Sequence, residues 1–220
     1  TWAGGTNNIA NLDDDARFTK GKHLAYWDNR LWIGHVNGAQ YQLWRSSTGD
    51  ITTWGSTDYY NFDFDITGIS PIGNALAVHT DEGIHVLTPT GNATVPYQVQ
   101  RRAPSGTVSG RGIVNLPSGL QLFPRLDGIY AWDGGSEVSK ISQALDGPRF
   151  WDSINKAKLS LVHGLYYPTA NEVWFHIPYG ASQATNNYAI VYSTVLNCWF
   201  GPYTNLSLIH ISEPTRQAEI

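Results

Sequence analysis

Apolar and polar residues alternate along most of the chain in short bursts, each closed by Asn, Gly, Pro or Asp. Such alternation predicts short strands with one buried face. Four segments repeat one plan: a strand, a turn with Asn or Gly, a short apolar strand, a second turn and another strand. The middle strands are Arg30-Leu31-Trp32-Ile33, Ala75-Leu76-Ala77-Val78, Gly119-Leu120-Gln121-Leu122 and Glu172-Val173-Trp174-Phe175. Leu31 to Leu76 spans 45 residues, Leu76 to Leu120 spans 44, and Leu120 to Val173 spans 53. The last interval is longer because an irregular segment intervenes. Two units align closely, Asp81-Glu82-Gly83-Ile84-His85-Val86-Leu87 with Leu126-Asp127-Gly128-Ile129-Tyr130-Ala131-Trp132. In each, an acidic residue and Gly lead into a strand, and the Gly is expected to supply a positive φ for the turn. The fourth unit reads as a meander over 161–167, 172–177 and 188–192, with Pro168-Thr169-Ala170-Asn171 as its first turn.

Repeats near 45 residues built of three or four strands mark β-propeller blades, which bury their faces by stacking on neighbours. The expected fold is therefore all-β, a partial β-propeller of about four three- to four-stranded antiparallel blades with minor helix. The helical candidate is 148–155, where Pro148 suits a first turn. Asp13-Asp14-Asp15 is a second candidate helix start.

Composition sharpens this picture in three places. The chain has 220 residues, 41% apolar and 15% charged, with 9 Trp and 12 Tyr, which excludes low-hydrophobicity disorder. It contains no Met, and Leu206-Ser207-Leu208-Ile209-His210-Ile211-Ser212-Glu213-Pro214-Thr215-Arg216 reproduces an in-frame translation of a transposase sequencing adapter. The expectation is thus a fragment in three parts: a truncated N-terminal lead-in at 1–22, incomplete propeller blades at 23–205, and a non-native tail at 206–220. The net charge is −4, or −3 without Arg216, Glu213 and Glu219, so the basic surplus of a generic nucleic-acid binder is absent. No apolar run is long enough to span a bilayer.

Three stretches in this order resemble the β-propeller part of tail nozzle proteins of short-tailed bacteriophages, also called tail tubular protein B or tail accessory (stabilisation) proteins. The first is Arg30, Leu31 and Trp32, followed by Ser46, Gly49, Asp50 and Trp54. The second is 74–87, with Gly83 and Ile84. The third is 106–142, with Asp127, Gly128, Ile129, Tyr130 and Ser142, and the meander closing on Trp199 fits as well. The resemblance implies a non-catalytic virion structural protein with no cofactor. Its implied partners are copies of itself in a homo-oligomeric ring, other tail or portal-complex proteins, and phage DNA in transient, non-specific contact. A mildly acidic chain suits a conduit, because a basic lumen would hold the phosphates.

Residues that could carry chemistry have plainer readings. Asp63 and Asp65 in Asn61-Phe62-Asp63-Phe64-Asp65 would share one side of a strand, as a calcium or acid pair or as a solvated face opposite Phe62 and Phe64. His23, His35, His79, His85, His163 and His176 are scattered; His79 and His85 share a hairpin, but spacing fixes no third metal ligand. Cys198 lacks an activating partner and reads as a small buried residue. Gly106 to Gly112 (GTVSGRG) lacks a P-loop lysine and reads as a loop entering a strand. Two alternatives stay open. Ser47-Thr48-Gly49-Asp50 loosely resembles an Asp-box turn, and with seven arginines (30, 45, 101, 102, 111, 125 and 149) it allows a glycan-binding or glycan-hydrolysing propeller. Trp132-Asp133-Gly134-Gly135 allows a kelch- or WD-like scaffold, though the double Gly does not recur.

Overall fold

The computed structural model describes residues 21–146 and 150–204. The aspartates 13–15, most of the lead-in, Pro148, Arg149 and the tail from 206 lie outside these residues.

Among the described residues, sixteen strands form four separate four-stranded antiparallel sheets, each a meander whose strands pair in chain order. The first sheet is β1 (His23–Trp27), β2 (Arg30–Val36), β3 (Ala39–Arg45) and β4 (Tyr59–Asn61). The second is β5 (Ile66–Ile72), β6 (Ala75–Thr80), β7 (Gly83–Pro89) and β8 (Tyr97–Ala103). The third is β9 (Val114–Asn115), β10 (Gln121–Arg125), β11 (Gly128–Trp132) and β12 (Ser139–Lys140). The fourth is β13 (His163–Tyr167), β14 (Glu172–Ile177), β15 (Tyr188–Ser193) and β16 (Cys198–Thr204). First strands lie side by side: β1 runs against β5, and β9, with the short 3-10 turn Gly110–Gly112, runs against β13. Each sheet is a blade, and the chain folds as a partial β-propeller. The repeated middle strands are the second strands of the blades, β2, β6, β10 and β14.

Stacking follows from the alternation. Ala25, Trp27, Trp32 and Leu43 of the first sheet meet Ile66, Ile69, Leu76 and Val78 of the second. From the opposite face of the second sheet, Ala77, Ile84 and Val86 meet Phe123 and Trp132 of the third. Val114, Leu122 and Ile129 of the third then meet Val173, Phe175 and Ile177 of the fourth. At about 25 cal/mol per Å² of apolar surface buried, these faces supply the main driving force for stacking.

Three local expectations are refined. Gly83 and Gly128 do not have positive φ. They are glycines because the fourth strand passes too close: a Cβ on Gly83 would lie 2.9 Å from the Ala103 carbonyl, and one on Gly128 2.5 Å from Ser142 Oγ. Positive φ belongs instead to Asp28 and Asn29 (51° and 56°), the two-residue turn between β1 and β2. Between the third and fourth blades, the described helical segments are 3-10 turns at Gln143–Leu145, Trp151–Ser153 and Lys156–Leu161. Among the described residues, no helix is long and apolar enough to cross a membrane.

Candidate functional site

The motif residues are spread through the blades, and most of them make joints. In the first blade, Ser46 is buried just past β3, where its Oγ accepts the Leu31 N–H at 3.0 Å. Arg30 Nη1 donates to the Ser46 carbonyl at 2.7 Å. The same device recurs in the third blade, where buried Ser142 Oγ accepts the Ile129 N–H at 3.0 Å. In both, a hydroxyl satisfies an amide at a hairpin mouth, which would otherwise be a buried unpaired donor. Gly49, at φ 73°, donates its N–H to the Asn29 carbonyl at 2.8 Å, tying the loop after β3 to the first turn. Asp50 caps that loop: Oδ1 accepts from Thr52 N and Oγ1, and Oδ2 from Thr53 Oγ1. The Thr53 and then the Thr52 hydrogen bonds lower its pKa to about 2. Trp54 Nε1 donates to the Ile51 carbonyl, and its ring packs on Ile33, Val36 and Trp44. Asp50 therefore spends its carboxylate on its own loop.

The remaining motif residues work between blades or brace a turn. Trp32 is fully buried beside Trp27 (5.7 Å between ring centroids), Tyr97 (5.1 Å) and Tyr60 (6.2 Å), and its Nε1 donates to the Trp27 carbonyl. The Tyr97 hydroxyl donates to Asp28 across the first joint, and burial together with that carboxylate raises its pKa to about 12. Tyr130 lies under the Arg125 guanidinium at 4.6 Å, and its hydroxyl bonds Asp127. Trp199 Nε1 donates to the Ile141 carbonyl at 2.8 Å, linking the outer strands of the fourth and third blades.

Sequence reasoning missed the second joint. His79 is fully buried between Phe123 and Trp132, with Nε2–H donating to Gln121 Oε1 at 2.6 Å and Nδ1 accepting the Thr107 N–H at 3.2 Å. Gln121 passes the chain on to Asn115 Oδ1, and Asn115 Nδ2 returns to Ser70 and Pro71 of the second blade. Burial lowers the His79 pKa to about 4, against the smaller opposing effect of Gln121.

The other candidates separate. His79 and His85 do not meet, since His85 pairs with Val78 and its ring packs on Phe62. His163 and His176 do meet, stacked at 4.5 Å in direct register. The turn at 168–171 already implied that register in the sequence. Asp63 and Asp65 are exposed in a bend rather than a strand, and Phe64 is exposed while Phe62 is buried. Cys198 is half-buried in β16. Arg30, Arg45, Arg101 and Arg125 bind Ser46, Asp58, Glu82 and Tyr130 respectively, each within its own blade. Among the described residues, no group of three or more His, Cys, Asp or Glu could hold a metal ion.

The end sheets differ from the joints. On the first sheet, the face turned away from the second carries Leu24, Ile33, Trp44 and Tyr59 in register across all four strands. On the fourth, the face turned away from the third carries Leu165, Trp174, Val191 and Phe200 in the same way. Leu24 and Leu165 are 64% and 57% exposed, whereas Ile33, Trp44 and Val191 are buried within the chain.

No family model matches the chain, and no curated protein matches it. Among solved structures it is similar to the computationally designed Ika8 protein, with TM-score 0.45 and 17% identity over 78% of this chain and 45% of that one. It is also similar to YCF48 bound to D1 peptide, with TM-score 0.44 and 13% identity over 83% of this chain and 52% of that one. The chain spans about half the length of each.

Proposed function

We propose that the chain is a non-catalytic structural subunit of a short-tailed bacteriophage virion, its blades forming part of a tail nozzle ring around the DNA path. The observation that supports this reading is the work done by the motif residues: Ser46, Ser142, Gly83, Gly128, Trp32 and Trp199 serve hairpin mouths, strand crossings and blade joints. The apolar side chains left exposed on both end sheets, Leu24 on the first and Leu165 and Phe200 on the fourth, are ones that a ring-forming subunit covers by assembly. Light scattering and negative-stain microscopy of the purified chain are expected to find assemblies, which Leu24→Asp with Leu165→Asp returns to monomers. Mass spectrometry of tails from particles carrying the gene is expected to recover its peptides. A monodisperse wild-type monomer, or tails without those peptides, rejects the proposal.

A second reading has one observation in its favour. Between the third and fourth blades, a groove of about 380 Å³ is lined by Tyr166, Tyr192, Asn171 and Asn197 over an apolar floor. The tyrosine hydroxyls bond Asn171 and Asn197. Aromatic faces beside amides suit a carbohydrate ligand. Saturable binding on a glycan array, lost in Tyr166→Ala, would favour that reading over the first.

A further inference from the structure

At the opposite end of the blades from that groove, the segments leading into all four first strands converge around a cavity of about 540 Å³. Lys22 and His23 enter it from the first blade, Thr67 from the second, and Ser109 and Arg111 from the third. His35 reaches it from β2 at a register shift where its own φ is 57°. The cavity walls are locked in place. His35 Nδ1 bonds the Ile66 carbonyl at 2.9 Å, and Ser109 Oγ donates to the Val162 carbonyl at 2.6 Å. A Cβ on Gly110 would lie 2.6 Å from His23 Nδ1, so the loop presses directly on that ring.

The charge of this cavity calls for a ligand. Its described lining holds Lys22, Arg111 and two imidazoles 6.0 Å apart, and no carboxylate. Cations gathered around one cavity repel one another, and an anion with several acceptor oxygens removes that cost.

We propose that this axial cavity binds a phosphate-type oxyanion, with Lys22 and Arg111 neutralising it. The His23 ring supports the assignment. Burial first, and then the smaller effects of His35, Lys22 and Arg111, lower its pKa to about 4, against an opposing hydrogen bond to the Ile66 carbonyl. The inference stands on the cavity alone and does not depend on the virion role.

Equilibrium dialysis with labelled inorganic phosphate tests it on the full chain, because the readout is the same for monomers and assemblies. Saturable uptake is expected. Lys22→Ala with Arg111→Ala, both exposed cations, should weaken it about tenfold or more. Arg125→Ala, on the Tyr130 ring, should leave it unchanged. A labelled DNA duplex separates the sources of phosphate. Binding that phosphate displaces and the double variant loses identifies the nucleic-acid backbone, whereas phosphate uptake without duplex binding identifies a small free oxyanion. Absent uptake, uptake unchanged in the double variant, or equal loss in Arg125→Ala overturns the proposal.

Discussion

The first and second blade joints do the same job with different physics. Between the first and second blades, Trp27, Trp32, Tyr60 and Tyr97 fill the space with aromatic volume. Between the second and third, the Phe123 and Trp132 rings enclose a polar line from His79 through Gln121 to Asn115. A volume joint tolerates small shifts in registration, because dispersion and burial have little direction. A hydrogen-bonded joint admits one registration only, since a buried donor that misses its acceptor costs about 1–3 kcal/mol. The first joint thus supplies adhesion. The second sets the angle at which blades follow one another, and it carries a fully buried imidazole at its centre.

Three experiments press on that difference. The largest effect is expected from Trp32→Ala, which removes the centre of the aromatic joint and should cost about 3–5 kcal/mol in denaturant unfolding. That cost should be the same at neutral and mildly acidic pH. The second experiment acts on the polar joint by acid. The unfolded imidazole of His79 takes a proton as pH falls through about 6.5, while the folded one declines it until about 4. Stability is therefore full above that window and falls across it, by about 3 kcal/mol for His79 alone. Unfolding midpoints measured through the window read the slope. Gln121→Glu should flatten it by holding the protonated ring, and an unchanged slope would remove His79 from its cause. The smallest effects belong to the hydroxyl clamps. Ser46→Ala and Ser142→Ala should each cost about 1 kcal/mol. Equal values would show that the clamp works alike in an outer and an inner blade.

Much of this fold was legible because strands buried on both sides read as short apolar runs and strands buried on one side alternate. The second strands are of these two kinds, and the spacing of Leu31, Leu76, Leu120 and Val173 exposed the repeat, although Leu120 itself lies just before β10. The fourth strands were hard to read for the opposite reason. β12 is only Ser139–Lys140, and β8 has exposed residues at its five central positions, so neither shows a two-residue period. Gly83 and Gly128 were placed correctly for the wrong cause, since crowding by a later strand leaves no local mark in the sequence. The polar joint escaped for the same reason: His79 and Gln121 are 42 residues apart and meet only when blades stack. The axial cavity is similarly invisible, since Lys22 and Arg111 come from the lead-ins of two different blades.

All sixteen strands pair with sequence neighbours inside their own sheet, and no blade borrows a strand from another. Every blade can therefore close its hydrogen bonds as soon as its own forty or so residues are free, with short loops and little entropy lost in closure. Such a chain suits folding from the ribosome outward, each finished blade offering a templated face to the next. Unfolding should run in the reverse sense. It enters at an end sheet, which has one stacked neighbour rather than two, and advances joint by joint in the manner of a one-dimensional array.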